Sequence, residues 1–338
     1  MEETETAKEI LATLTPTSLG LADLVARFCA RPGLAARSRE YYANILGKFT
    51  WYVQAKGWPR PELISRDHIR DFLSYVATES DRWPEAPRTA NRPASQATVH
   101  HYGKVVKSFF NWLEDEEYLE TNPTARLRLG PPGYREVEPY SDDEVRAFLA
   151  VCEADAGTGF RYLGIRNRAM ISLFVATGLR LEELAGISLS RFDPRQQQLA
   201  VDGKGGKSRL VPINGEARKA LRAYLAVRPA GGDALWTTGA GVPLAVDSVK
   251  IMVTRLKRRA GIEGGGGAHR FRHYFATRYL EAGGDINSLR LLLGHSTLNM
   301  VLKYARFANV QRALAEHVYF NPLDLLVHGP RAGGPWRR

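Results

Sequence analysis

Cysteine is nearly missing. The 338 residues contain two, Cys29 and Cys152, too few for a disulfide framework and without metal-ligand spacing. Both fall in apolar helical patterns and read as core residues. No run approaches the ~20 apolar residues of a membrane span, and the acidic N-terminus lacks a basic-then-apolar signal. No membrane partner is therefore expected, and a reducing, bacterial-type cytoplasm is the default. No His/Cys/Asp/Glu cluster stands out, so no metal is expected. Acidic residues are also in the minority, 36 Asp+Glu against 47 Lys+Arg, which leaves a formal charge of +11 and a pI near 9.7. That excess points to a polyanionic partner. Residues 131–338 carry 30 basic against 19 acidic side chains. Residues 1–130 carry 17 of each, because an acidic leader and the cluster Glu114–Glu120 mask a basic body.

At 44% hydrophobic the chain can bury a core, and it is long enough for two domains. Residues 1–20 read as a mobile leader. From Leu21 a helical period sets in, first with Leu24, Val25 and Phe28, then after Ser38 with Tyr42, Ile45, Leu46, Phe49, Tyr52 and Val53. The far side of that second helix offers Arg37, Asn44 and Lys48. A third helix starts after Ser65. Residues 80–94, with three prolines, read as a loop. Ser95 opens a fourth helix to about Tyr118, whose polar stripe of His101, Lys104, Ser108 and Asn111, with Lys107 at its edge, suits a DNA groove or water equally well. Gly130-Pro131-Pro132-Gly133 reads as a linker within residues 129–140.

A second domain, residues 141–325, begins at the capping box Ser141-Asp142-Asp143-Glu144. Its long apolar helix stops at Gly178. Leu199–Asp202 and Ser208–Ile213 alternate like strands around a glycine-rich turn that carries Lys204 and Lys207. Helices resume at 216–227 and 248–260, Gly264–Gly267 reads as a hinge, and 309–318 reads as a late helix. Residues 326–338 read as a loose basic tail.

The chemistry concentrates between His269 and Tyr304, where two histidines, an arginine and a phenol lie within 36 residues. That set suits attack of tyrosine on a phosphodiester. A phenol has a pKa near 10, so ionising it at pH 7 costs roughly 4 kcal/mol, and a proton acceptor is needed. Charge growing on the attacked phosphate is best met by arginine, whose planar fork binds two oxygens and stays protonated.

The boxes His269-Arg270-Phe271-Arg272, Leu293-Gly294-His295 and Tyr304, with Ala176–Leu184 and Gly203–Arg209 upstream, resemble in order and interval those of the tyrosine recombinase (phage integrase) family. The resemblance implies a mainly α fold with a small β-sheet: an N-terminal helical core-binding (SAM-like) domain, residues 21–128, before a C-terminal α+β catalytic domain of the DNA breaking-rejoining type. It implies that Arg180 and Arg272 grip the scissile phosphate and that Glu183 orients Arg180. Lys204 protonates the leaving 5′ oxygen, with Lys207 in the same turn as its competitor. Lys204 is preferred for its family-like interval of 24 residues after Arg180. His269 takes the phenolic proton, His295 donates to the phosphate, and Tyr304 forms a 3′-phosphotyrosine. Lys48, Lys104, Lys107, Lys207 and Arg209 are the expected DNA contacts. Neither ATP nor another cofactor is required, because the covalent intermediate holds the energy of the broken bond. The implied partners are double-stranded DNA sites, the two domains closing on the duplex, and a tetramer of identical protomers or of this chain with a paralogue. The segment 309–318 is the candidate for docking on a neighbour. Arg270, where the family is commonly apolar or small, and Ala305-Arg306 after the tyrosine depart from the pattern. A type IB topoisomerase-like relaxase, a DNA-binding clamp without catalysis and a metal-dependent transposase are the alternatives.

Overall fold

A computed structural model of the chain describes residues 19–83, 93–133, 138–193, 197–203, 208–213 and 215–295, with 297, 298, 301, 302, 304, 317 and 322–328. The chain divides into two compact units, Met1–Arg135 and Glu136–Arg338.

Among its described residues the first unit has four α-helices, α1 (Leu21–Ala30), α2 (Ala36–Ala55), α3 (Arg66–Thr78) and α4 (Gln96–Asp115). Each begins where a residue can hold extended backbone. Ser65 and Ser95 accept from the amides of His68 and Thr98, satisfying donors that the first helical turn leaves free. The helices bury Leu24, Phe28, Leu46, Phe49, Ile69, Phe72, Val106 and Phe109 at helical spacing. Phe28 meets Phe109 edge-on at 5.4 Å, and Phe49 meets Phe72 at 5.0 Å. Each such ring contributes roughly 1.5–3 kcal/mol of burial. The loop expected from residue 80 brings Trp83 back onto this core, while residues 84–92 lie outside the described ones.

The second unit opens with α5 (Asp142–Ala156), and the Ser141 box closes as read: Glu144 N donates to Ser141 Oγ at 3.1 Å and Ser141 N to Glu144 Oε2 at 2.8 Å. Helices α6 (Arg161–Thr177) and α7 (Leu181–Ala185) lead into a sheet of β1 (Phe192–Asp193), β2 (Gln198–Asp202) and β3 (Ser208–Pro212), antiparallel in the order β1-β2-β3. The two expected strands are present. The third, β1, is two residues long and pairs Phe192 with Leu199, too short to show alternation. Helices α8 (Gly215–Leu225), α9 (Val246–Arg259), α10 (His269–Glu281), α11 (Ile286–Leu293) and α12 (Pro322–His328) follow. Phe148, Phe174 and Phe271 form the centre of the core, with Phe174 and Phe271 stacked at 5.6 Å. Both cysteines are buried, as their patterns predict.

The presumed hinge is fastened at both ends, since Lys257 Nζ donates to Gly264 O and Tyr140 Oη to Gly267 O at 3.3 Å. Arg270 is also buried, over the Tyr140 ring and bonded to Glu138 O, Pro139 O and Glu144. The expected helix at 309–318 lies outside the described residues apart from His317. The expected tail start at 326 falls inside α12. Among the described residues no helix is long and apolar enough to cross a membrane, and no group of three His, Cys, Asp or Glu could hold a metal ion.

Candidate active site

Helix α6 stops at Gly178, in the left-handed region at φ 61°, where its amide closes the helix by donating to Phe174 O at 3.0 Å. A side chain there would be strained, and its Cβ would stand 2.6 Å from Phe275 and 2.9 Å from Leu293. This turn sets Arg180 at the entrance to α7. Glu183 reaches back, so that Arg180 N donates to Oε2 at 2.9 Å and Arg180 Nη1 to Oε1 at 2.6 Å. Glu183 therefore orients Arg180, and among the described residues Arg180 Nε and Nη2 carry no bond. Burial alone would raise the Glu183 carboxyl. The bonds and charge from Arg209, with the bonds from the Arg180 amide and guanidinium, outweigh it and pull the pKa to about 2.

Arg272, three residues into α10, is 1% exposed. Its Nη1 donates to Gly178 O at 2.8 Å and its Nη2 to Leu293 O at 2.6 Å, carbonyls at the ends of α6 and α11. Such carbonyls carry the negative end of the helix dipole and suit a cation. Burial, then the charge of Arg180, lowers its pKa to about 10, against an opposing pull from Tyr304 and Glu183. It stays protonated at neutral pH. Its Nη2 also lies 2.6 Å from His295 Nε2. Arginine has no acceptor, so Nε2 must accept, which places the His295 proton on Nδ1. Burial, then Arg272, Arg180, Arg209 and His269, lowers the His295 pKa to about 3 and keeps the ring neutral. Arg272 Nε and His295 Nδ1, two donors buried in one place, have no partner among the described residues.

Tyr304 is 6% exposed and packs with Ala276, Leu289, Leu293 and Val301 in a small cluster beside α10 and α11. Its ring stacks on His295 at 6.1 Å and meets His273 edge-on at 5.0 Å. His273 in turn meets His269 at 4.8 Å. His269 opens α10 at the solvent edge, and its pKa is lowered by the surrounding protein, then by Arg272 and Arg180. A lowered pKa favours the neutral ring near pH 7.

The fold thus gathers Arg180, Glu183, His269, Arg272, His295 and Tyr304. Lys204 and Lys207 lie outside the described residues. The geometry bears on three expectations. His295 Nε2 faces Arg272, so any bond it gives to a phosphate must come from Nδ1. Arg209 does not present itself to DNA: its Nε donates to Leu292 O at 2.8 Å and its two Nη to Glu183 at 2.9 and 2.8 Å. Lys48 is half-buried, its ammonium 5.5 Å from the Trp83 ring and 5.8 Å from that of Tyr102, and burial, then Arg82, lowers its pKa. Lys104 is exposed and Lys107 half-buried on α4. The residues that sequence reasoning missed are His273 and the internal role of Arg209. His273 stands four residues after His269, one helical turn on, which is the signal that was available.

Comparison with known proteins identifies the family. The model of the phage integrase family matches residues 140–310, and that of the phage integrase N-terminal SAM-like domain matches residues 21–120. The tyrosine recombinase XerC 2 of Ralstonia nicotianae is 36% identical over 285 residues, covering 82% of this chain and 78% of its own. The tyrosine recombinase XerD of Pseudomonas aeruginosa is 31% identical, covering 82% and 89%. Among solved structures, the XerH site-specific recombinase bound to a palindromic difH substrate superposes with a TM-score of 0.69 at 20% identity, covering 90% of this chain and 86% of that one. A lambda integrase dimer bound to a COC′ core site gives 0.64 at 19%, covering 85% and 95%.

Proposed function

The chain belongs to the phage integrase family and is a tyrosine-type site-specific recombinase, from which we propose that it cleaves and rejoins DNA through a 3′-phosphotyrosine at Tyr304. One observation carries this reading: Tyr304, last of the boxes in the chain, is seated on His295 and within electrostatic reach of Arg272.

The phenolic oxygen attacks the scissile phosphorus, the P–O5′ bond breaks, and the phenolic proton passes to His269, directly or by relay. Arg180 offers Nε and Nη2, Arg272 its Nε and His295 its Nδ1–H to the non-bridging oxygens. These donors are worth most where charge develops, because they are fixed before the reaction begins. The leaving 5′ oxygen takes its proton from Lys204, the residue that matches the family's hairpin lysine. Attack by a 5′ hydroxyl reverses the step and joins the strands, so neither ATP nor metal is consumed.

The partner is double-stranded DNA, met by residues 21–128 through Lys104 and Lys107 on α4 and by residues 141–325 through the site, with 129–140 as linker. Strand exchange requires several protomers on two sites, arranged as a tetramer of this chain alone or with a paralogue, in the cytoplasm. The test is a nicked suicide duplex carrying a cleavable site. The wild-type chain should accumulate a covalent adduct in the presence of EDTA, while Tyr304→Phe should bind the duplex and form none. An adduct that survives that substitution removes Tyr304 from the mechanism. Relaxation of supercoiled plasmid lacking any site would instead favour a topoisomerase-like activity.

A further inference from the structure

Arg209 touches two parts of the site at once. Its two Nη grip both oxygens of Glu183, the carboxylate that orients Arg180. Its Nε holds Leu292 O, two residues before Gly294 and three before His295. Gly294 is left-handed at φ 65°, and a Cβ on it would lie 2.9 Å from Arg209 Nη1, so the guanidinium packs against the backbone of that turn. The register of β3 against β2, Val201 opposite Arg209, sets the height of the side chain. With the side chain 12% exposed and every guanidinium nitrogen bonded inside the protein, Arg209 is poorly placed to hold a duplex phosphate.

Glu183 Oε1 is shared between Arg180 Nη1 and Arg209 Nη1, and Oε2 between the Arg180 amide and Arg209 Nη2. A carboxylate facing a single arginine favours the two-pronged fork. With Arg209 holding that fork, Arg180 is left with one side-chain contact and keeps its Nε and Nη2 for an anion.

We propose that Arg209 is a positioning residue for strand cleavage. Its fork on Glu183 restricts Arg180 to a single carboxylate contact, and its bond to Leu292 sets the turn that presents His295. The inference rests on the cleavage reading given above. In the same structure Arg209 is one of the groups that depress the Glu183 and His295 pKa values, so its loss should also move the acid limb of the reaction.

The test uses the full chain with Arg209→Met, Arg209→Lys and Glu183→Gln, on a nicked duplex that the wild-type protein is shown to cleave. Adduct formation is followed in single turnover at saturating protein, and DNA affinity is measured separately. Arg209→Met should slow adduct formation on the order of 10²-fold, as misplacement of a reacting group does, with little change in affinity. Arg209→Lys keeps the charge but not the fork, so it should remain slow. The acid limb of the rate profile should move to higher pH in Arg209→Met, and less far in Arg209→Lys, which keeps the charge. Combining Arg209→Lys with Glu183→Gln should cost less than the two losses together, a result that stands even if Arg209→Met fails to fold. An unchanged rate, additive losses, or weaker binding with a salt slope reduced by about one would overturn the proposal, the last marking a phosphate contact. A wild-type chain that forms no adduct would instead overturn the reading on which it rests.

Discussion

A guanidinium as deeply buried as that of Arg272 serves the fold and, on the proposed mechanism, the chemistry as well. Replacing it by lysine keeps a charge but cannot satisfy Gly178 O and Leu293 O at once. Arg272→Lys should lower single-turnover cleavage about 10²- to 10³-fold, as loss of a preorganised donor does. It should also lower stability by about 1–3 kcal/mol in urea unfolding, from the carbonyl left unpaired. His295 makes a second prediction. Its pKa is about 3 in the fold against an ordinary 6.5, so its contribution to stability is full above pH 6.5 and is lost as pH falls toward 3. Glu183, at about 2 against 4.5, adds its own loss between pH 4.5 and 2. Stability should therefore fall with acid at up to about 1.4 kcal/mol per pH unit for each proton taken up. His295→Gln should flatten the limb between pH 6.5 and 4.5, as read by thermal unfolding across pH. At this scale the sequence showed which residue types the chemistry needs, but not what each touches. Arg209, the last residue of the Gly203–Arg209 box, was expected to contact DNA. Strand alternation places it on the same face as Val211, which is buried, and that argument already pointed inward. Lys48 likewise lies one turn from Ile45 and Tyr52, so its place at the edge of the apolar face was legible before Trp83 was known to meet it.

At the scale of elements, the site depends on where helices stop. Gly294→Ala would force a left-handed residue and push a methyl group against Arg209. The conformational part costs about 1–2 kcal/mol. The larger effect should fall on adduct formation, because the displaced turn carries His295, so the cleavage rate should drop by more than that stability loss would explain. Denaturant unfolding beside single-turnover cleavage checks this. Helix starts and stops were readable from Ser65, Ser95, Ser141 and Gly178, since caps and left-handed glycines have local causes. The strand β1 was not, because two residues do not make a period.

Across the whole molecule, affinity for DNA should fall steeply with salt. If 6–10 phosphates are neutralised, the plot of log affinity against log salt should have a slope of roughly −5 to −9. Lys104→Ala, exposed on α4, should weaken binding evenly across sequences and reduce that slope by about one, as measured by fluorescence anisotropy. The order of the boxes along the chain was visible in the sequence, but their meeting was not. Periodicity assigns each side chain to a face of its own element, and which faces oppose each other is decided by packing around Phe148, Phe174 and Phe271.

Gly178, the last link of α6, both ends that helix and supplies the carbonyl that Arg272 holds. One extra residue anywhere between Arg161 and Thr177 would advance that carbonyl ~1.5 Å and rotate it ~100° about the axis. The length of this rod is thus locked in phase with the reacting centre, and insertions or deletions that its apolar surface could absorb would still silence the enzyme.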